Sequence, residues 1–209
     1  EQNGVEAKIR TEEKEGYLFF ELTDISPFEK VELVIWGPYP TTISKTIGES
    51  VGVVRNEEFA IGIQALNVKT MGGYPTEEND VEPAYDIFAT DNLVDIDESV
   101  KILYRGQTAK HTETGSILQA YCRNHNEKRI ISNWGHSHYV VPPYDDGGVK
   151  GSKIALFGAP AEKVLDLIGQ IEIAEGLPHP IIDGEWAKTS PKATESYLIM
   201  GFNEENLDD

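Results

Sequence analysis

The chain has little cysteine, few basic residues and no long apolar run, and each shortage removes a class of protein. Cys122 is the only cysteine among 209 residues, which excludes an internal disulfide and any cysteine cage for a metal. It stands in the apolar, strand-like stretch from Ser116 to Cys122 with no histidine following in a recognisable signature, so a buried, inert thiol is expected. Lys plus Arg number 18 against 36 Asp plus Glu, a formal net charge of -18. No clustered basic surface offsets that excess, so nucleic-acid and anionic-membrane partners are not expected. No apolar run approaches the roughly 18 residues of a membrane span, and no membrane span is expected. No basic, apolar, small-residue leader stands before Glu1, which leaves a cytosolic protein and a removed export signal as open readings. Nucleophile elbows, phosphate loops and the zinc-protease histidine pattern are missing too, and no cofactor is expected.

What is present reads as globular. Hydrophobic residues make up 39% and charged residues 26%, enough for one compact domain, or one and a fragment. From Val5 to about Ile154 the hydrophobic signal is short and has a period near two, the mark of strands with one face in a core. Val5, Ala7 and Ile9 alternate with Glu6, Lys8 and Arg10, and the theme recurs over 17–22, 31–36, 59–66, 100–104 and 117–121. Turn chemistry falls between, at Asn3-Gly4, Ser26-Pro27, Gly37-Pro38, Asn56, Gly72-Gly73 and Gly106. This spacing predicts a mainly β fold, an antiparallel β-sandwich, over residues 1–158. Residues 70–97, acidic and carrying Pro75 and Pro83, read as a long loop.

After residue 150 the period changes. Lys153 to Gly158 reads as a strand leading into Ala159-Pro160, and Val164, Leu165, Ile168 and Ile171 then recur at helical spacing before Gly176 and Pro178. One C-terminal amphipathic helix, from about Pro160 to Glu175, is predicted within a helix-and-linker region over 159–195. The run Tyr197 to Phe202 is continuously apolar, and Asn203 followed by Glu204, Glu205, Asp208 and Asp209 suits a helix N-terminus. Residues 196–209 therefore read as a terminal strand and helix start of a truncated β/α domain, with an acidic frayed tail after a final strand as the alternative.

The densest polar and aromatic cluster runs from Asn133 to Gly148. Carbohydrate recognition needs flat aromatic faces for the C–H side of a sugar ring and a few fixed polar groups for its hydroxyls. Trp134, His136, His138, Tyr139, Tyr144, Asp145 and Asp146 have that composition, and Trp36, Tyr39 and Trp186 are further aromatic candidates. For each tryptophan taken separately, a core or inter-domain packing role is the first expectation. In an extended 135–140 segment His136 and His138 would share a face, and with Asp145 or Asp146 they could hold a transition metal. Hydrogen-bonding histidines at a groove rim are the simpler expectation. Asp145-Asp146 before Gly147-Gly148 lacks the spaced acids of a helix-loop-helix calcium site, so a solvated turn is its default. With 36 acids present, no carboxylate pair stands out for glycoside chemistry.

In the segments 154–160, 175–180, 182–186 and 196–203, together with Trp36-Gly37-Pro38-Tyr39 and residues 53–64, the layout resembles the N-terminal region of secreted multidomain glycoside hydrolases of gut-type bacteria, including enzymes similar to α-galactosidases. That resemblance implies a supersandwich-like, non-catalytic domain passing into a catalytic (β/α)8 barrel whose acids lie beyond this chain. It implies secretion or residence in the periplasm, a role in polysaccharide degradation, and two partners: carbohydrate and a C-terminal catalytic domain of the same chain. No catalytic residue is expected within the 209. A self-contained carbohydrate-binding module, and a small metal-dependent enzyme built on His136 and His138, are the other two readings.

Overall fold

A computed structural model describes residues 4–48, 52–73, 101–102, 108–124, 129–133, 136–141 and 148–194; at 101–102, 129–133, 136–141 and 194 it is the backbone that is described. In chain order the strands are β1 (Glu6–Lys14), β2 (Tyr17–Ser26), β3 (Leu33–Thr41), β4 (Thr46–Ile47), β5 (Val53–Arg55), β6 (Phe59–Ala65), β7 (Met71–Gly72), β8 (Lys101–Ile102), β9 (Ala109–Thr112), β10 (Gly115–Arg123), β11 (Arg129–Asn133), β12 (His136–Val141), β13 (Lys153–Pro160), β14 (Ile181–Ile182) and β15 (Glu185–Trp186). A 3-10 turn over Ala161–Lys163 leads into α1 (Val164–Ala174), and a short α2 spans Pro191–Thr194. The fold is mainly β and antiparallel, consistent with the expected sandwich. Among the described residues no helix is long and apolar enough to cross a membrane.

Two compact units divide the chain, Glu1–Leu167 and Ile168–Asp209. In the first, a seven-stranded sheet runs β1-β2-β13-β6-β5-β4-β8, and a second sheet runs β3-β10-β7 with β9 also on β10. All pairs are antiparallel except β4 with β8. Period-two alternation explains the packing. Leu22, Ile154, Ile63, Val54 and Ile47 of the larger sheet share one core cluster with Trp36, Leu118, Ala120, Cys122 and Ala109 of the smaller, as two facing sheets require. Cys122 is fully buried there, as its sequence setting predicts. The larger sheet's other face is buried too at Phe19, Val53, Ala60, Ala155 and Phe157. A side chain at Gly62 would strike the Phe157 ring at 2.4 Å, so the glycine is what lets that ring lie across β6.

Several expectations need correction. β1 alternates as read, but residues 6–13 are all exposed and Ile9 is 53% exposed. It is the outermost strand of its sheet, so a period of two here marks a strand and not a buried face. Gly37-Pro38, read as a turn, lies inside β3, where the register with β10 shifts between Leu118 and Ala120. Within the loop expected from residue 70, Met71–Gly72 forms β7 and pairs with β10, because ladder hydrogen bonds satisfy backbone groups that a loop would leave to water; residues 74–97 lie outside those described. In α1 the buried stripe is Val164, Leu167, Ile168 and Ile171, while Leu165 is 40% exposed. Leu165 falls off the i, i+3, i+4, i+7 face that a helix turns inward. The strand and helix start expected over 196–209 also lie outside the described residues.

The second unit knits itself around one carboxylate. Asp183 and Gly184, both with left-handed backbones, make the tight turn between β14 and β15. Glu172, near the end of α1, is buried and receives hydrogen bonds from His179 at 2.9 Å and from the Lys188 ammonium. His179 stacks on Trp186 with ring centroids 4.9 Å apart, and Lys188 lies over the same indole.

Candidate functional site

Three of the seven residues picked out for carbohydrate, His136, His138 and Tyr139, lie in β12. Trp134, Tyr144, Asp145 and Asp146 fall outside the described residues. β12 pairs with β11 as a separate two-stranded sheet, joined among the described residues to neither large sheet. The backbone is extended as the histidine reading required, but the register passes from Ile131 opposite Tyr139 to Asn133 opposite His136. One extra residue therefore sits in β12 between positions 136 and 139. Across such a bulge strict period-two facing does not hold.

The excursion that carries these residues is anchored at its base. The described residues that flank it in the sandwich are Asn124 and Gly148. The Asn124 amide NH2 donates to the Val31 carbonyl at 2.8 Å, and its backbone N–H donates to the Glu32 carbonyl at 2.8 Å. Gly148 has φ of +75°, and a side chain there would lie 2.5 Å from Asn124 Oδ1. Only glycine closes this base without strain. Beside it Arg123, 1% exposed, donates to the exposed Glu32 carboxylate at 3.0 Å, which supplies the counter-charge a buried guanidinium needs.

The other aromatic candidates separate clearly. Trp36 is 5% exposed and its indole N–H donates to Ser152 Oγ at 2.8 Å. Ser152 in turn bonds Thr70, 2.9 Å away, and Thr70 donates to Asn67 Oδ1 at 2.9 Å. This chain satisfies every polar group that the Trp36 ring drags into the core, so Trp36 is a packing residue. Trp186 belongs to the Glu172 cluster of the second unit.

Tyr39 belongs instead to a feature that sequence reasoning missed. Among the described residues, the inner face of the larger sheet carries at one end of the sandwich a groove of about 500 Å³, lined by Leu18, Tyr39, Phe59, Ile61, Leu156 and Gly158 with Glu13 and Lys14. Leu18 and Phe59 are 46% and 44% exposed. Local chemistry sets Phe59 in place. Asn56 Oδ1 accepts the backbone N–H of Glu58 at 2.9 Å and of Phe59 at 2.8 Å, closing the β5–β6 turn in the manner typical of asparagine. On the neighbouring strand a side chain at Gly158 would come within 2.9 Å of the Phe59 ring. The absent Cβ is the space in which the ring lies. Burial pushes the Tyr39 phenol above its ordinary value of 10.0, so its hydroxyl stays protonated and able to donate. The Lys14 ammonium turns to the other face of the sheet, over the Phe19 and Tyr17 rings at 4.4 and 5.7 Å, so the groove joins exposed ring and aliphatic faces to a phenol and the Glu13 carboxylate, the composition of a site that grips an apolar surface and orients it with a few polar groups. The signal in the sequence was Gly158 set against Phe59, which becomes visible only once β13 and β6 are paired in register.

No known family model, no curated protein and no solved structure matches this chain.

Proposed function

We propose that this chain is a non-catalytic β-sandwich domain that recognises carbohydrate and works as the accessory part of a glycan-degrading enzyme. The observation that carries the reading is the groove at one end of the sandwich, where Phe59 and Tyr39 stand beside Glu13. A sugar presents an apolar C–H face and a rim of hydroxyls. The Phe59 ring suits the first, and the Tyr39 hydroxyl and Glu13 suit the second. A volume of about 500 Å³ is within the range of small-ligand sites. Trp134, His136, His138, Tyr139, Tyr144, Asp145 and Asp146, chosen by composition, are the second candidate for contact with a longer chain of sugars. Packing on a C-terminal catalytic barrel, and export to the periplasm or beyond the cell, belong to the same proposal and rest on the likeness of layout to glycoside hydrolase N-terminal regions.

Affinity electrophoresis through gels containing soluble polysaccharides tests it. The intact chain is expected to be retarded by at least one polysaccharide. Phe59→Ala should abolish the retardation if the groove dominates, and Trp134→Ala if the excursion does. Unchanged mobility in every polysaccharide overturns the proposal. A self-contained binding module would show the same retardation, and fusing the chain to the downstream catalytic region separates the two: an accessory domain raises activity on the retarding polysaccharide, and a self-contained module leaves it unchanged.

A further inference from the structure

β1 ends the seven-stranded sheet with nine residues, and its outer edge pairs with nothing among the described residues. A free edge of this length is a template for another strand. Its charge is unlike that of the rest of the molecule. Glu6, Glu12 and Glu13 are balanced by Lys8, Arg10 and Lys14, three against three, in a chain whose net charge is -18. The edge is therefore the place where a second copy meets least repulsion. We infer that two copies of this chain associate through antiparallel β1–β1 pairing about a two-fold axis at Arg10, joining their large sheets.

The register follows from the sequence of the strand itself. Antiparallel pairing matches outward-pointing backbone groups only with outward-pointing ones, so registers differ by steps of two residues. Centred on Arg10, all nine residues pair. Glu6 then faces the partner's Lys14 and Lys8 faces the partner's Glu12, each contact occurring twice by symmetry. On the opposite face Ile9 meets the partner's Thr11. Centred on Ile9 instead, Glu6 would meet the partner's Glu12 and Lys8 the partner's Arg10. Centred on Thr11, Lys8 would meet the partner's Lys14. Like charges directly opposite are unfavourable, so one register is selected. The two Arg10 side chains at the axis are each screened within their own chain by Glu12 at 3.3 Å and Glu21 at 3.4 Å. The irregularity in the β1–β2 pair falls between Lys8 and Ile9 and places its extra residue, Thr23, on β2, which leaves β1 unbroken. The outer strand of the second sheet, β3, is closed to the same use because Pro38 and Pro40 lack the N–H a partner strand needs.

Sedimentation velocity of the full 209-residue chain, run from about 5 to 200 µM at roughly 0.15 M salt to screen the net charge, is expected to show a monomer–dimer equilibrium. Lys8→Glu sets like charges opposite each other twice and should raise the dissociation constant about tenfold or more. Adding Glu12→Lys to it restores the complementary pair and should recover most of the affinity, which no general loss of folding would allow. Cross-linking reads the register directly. Arg10→Cys should form a disulfide-linked dimer on mild oxidation, because the paired Cα atoms at the axis lie about 5 Å apart. Lys8→Cys should not, its symmetry mate being roughly 13 Å away along the strand. A chain that stays monomeric throughout, a dimer indifferent to Lys8→Glu, or equal cross-linking by the two cysteines would overturn the inference.

Discussion

Two single residues in this protein hold more structure than their place in the sequence suggests. Glu172 looks like one more acid on a helix, yet it is buried and collects hydrogen bonds from His179 and Lys188. Glu172→Ala would leave both donors without their acceptor in a partly buried setting, a loss of about 1–3 kcal/mol. Hydrogen exchange should then speed up across 177–190 while the sandwich strands keep their protection; uniform exchange would show that the cluster is not the clasp of its unit. Gly148 is the second. Gly148→Ala forces a left-handed backbone on alanine and drives a methyl group against Asn124. About 1–3 kcal/mol of destabilisation is expected in chemical denaturation, and a value near zero would mean that the base relaxes freely. Asp24 gives a pH dependence. Its carboxyl is held below its ordinary value of 3.8 by the hydrogen bond from Lys8, with Lys150 adding to it. A depressed acid stabilises the fold above its unfolded value and loses that contribution as pH falls through the lower, folded value. Wild type should therefore lose slightly more stability than Asp24→Asn between pH 5 and pH 2, and equal slopes would discount the pair. The effect is small, since the group lies in solvent.

Among the elements, the long strands were legible in the sequence because each carries its own periodic signal. β2, β6, β10 and β13 all lie where alternation or apolar runs placed them, and α1 lies where the period changed. What alternation could not give was rank within the sheet. Ala7 and Ile9 alternate as regularly as residues of an inner strand, yet β1 is the outermost and its side chains face water, since burial depends on neighbours that a strand's own sequence does not name. The two-residue strands β4, β7, β14 and β15 were equally invisible, being too short to show a period, whereas β8 falls within the 100–104 segment read as a strand. The groove escaped for a related reason. Phe59 and Gly158 are 99 positions apart, and only the β13–β6 register brings them together. Of the predicted site, the extended backbone of β12 is present, while the extra residue between 136 and 139 interrupts the alternation from which the shared histidine face was argued.

At the scale of the whole molecule, the core and the recognition surfaces are made by different means. The core is a sheet-on-sheet cluster in which Ile154, Val54, Leu118 and Cys122 are fully buried; Ile154→Ala should cost about 2–5 kcal/mol in urea denaturation, and under 1 kcal/mol would place Ile154 outside the core. Among the described residues, the groove is the part of that same inner face which the second sheet leaves uncovered. Its aromatic and aliphatic surface is thus a by-product of sandwich architecture, to which Tyr39 and Glu13 add the polar groups of the proposed site. The central claim is that this groove grips sugar, and the most direct test is calorimetric titration of the intact chain, alongside Phe59→Ala, with a panel of defined oligosaccharides. Saturable heat is expected with at least one oligosaccharide, with an affinity about tenfold or more weaker in Phe59→Ala, whose fold is retained because Phe59 is 44% exposed and lies outside the core cluster. A flat titration across the panel, or binding that Phe59→Ala leaves unchanged, would contradict it.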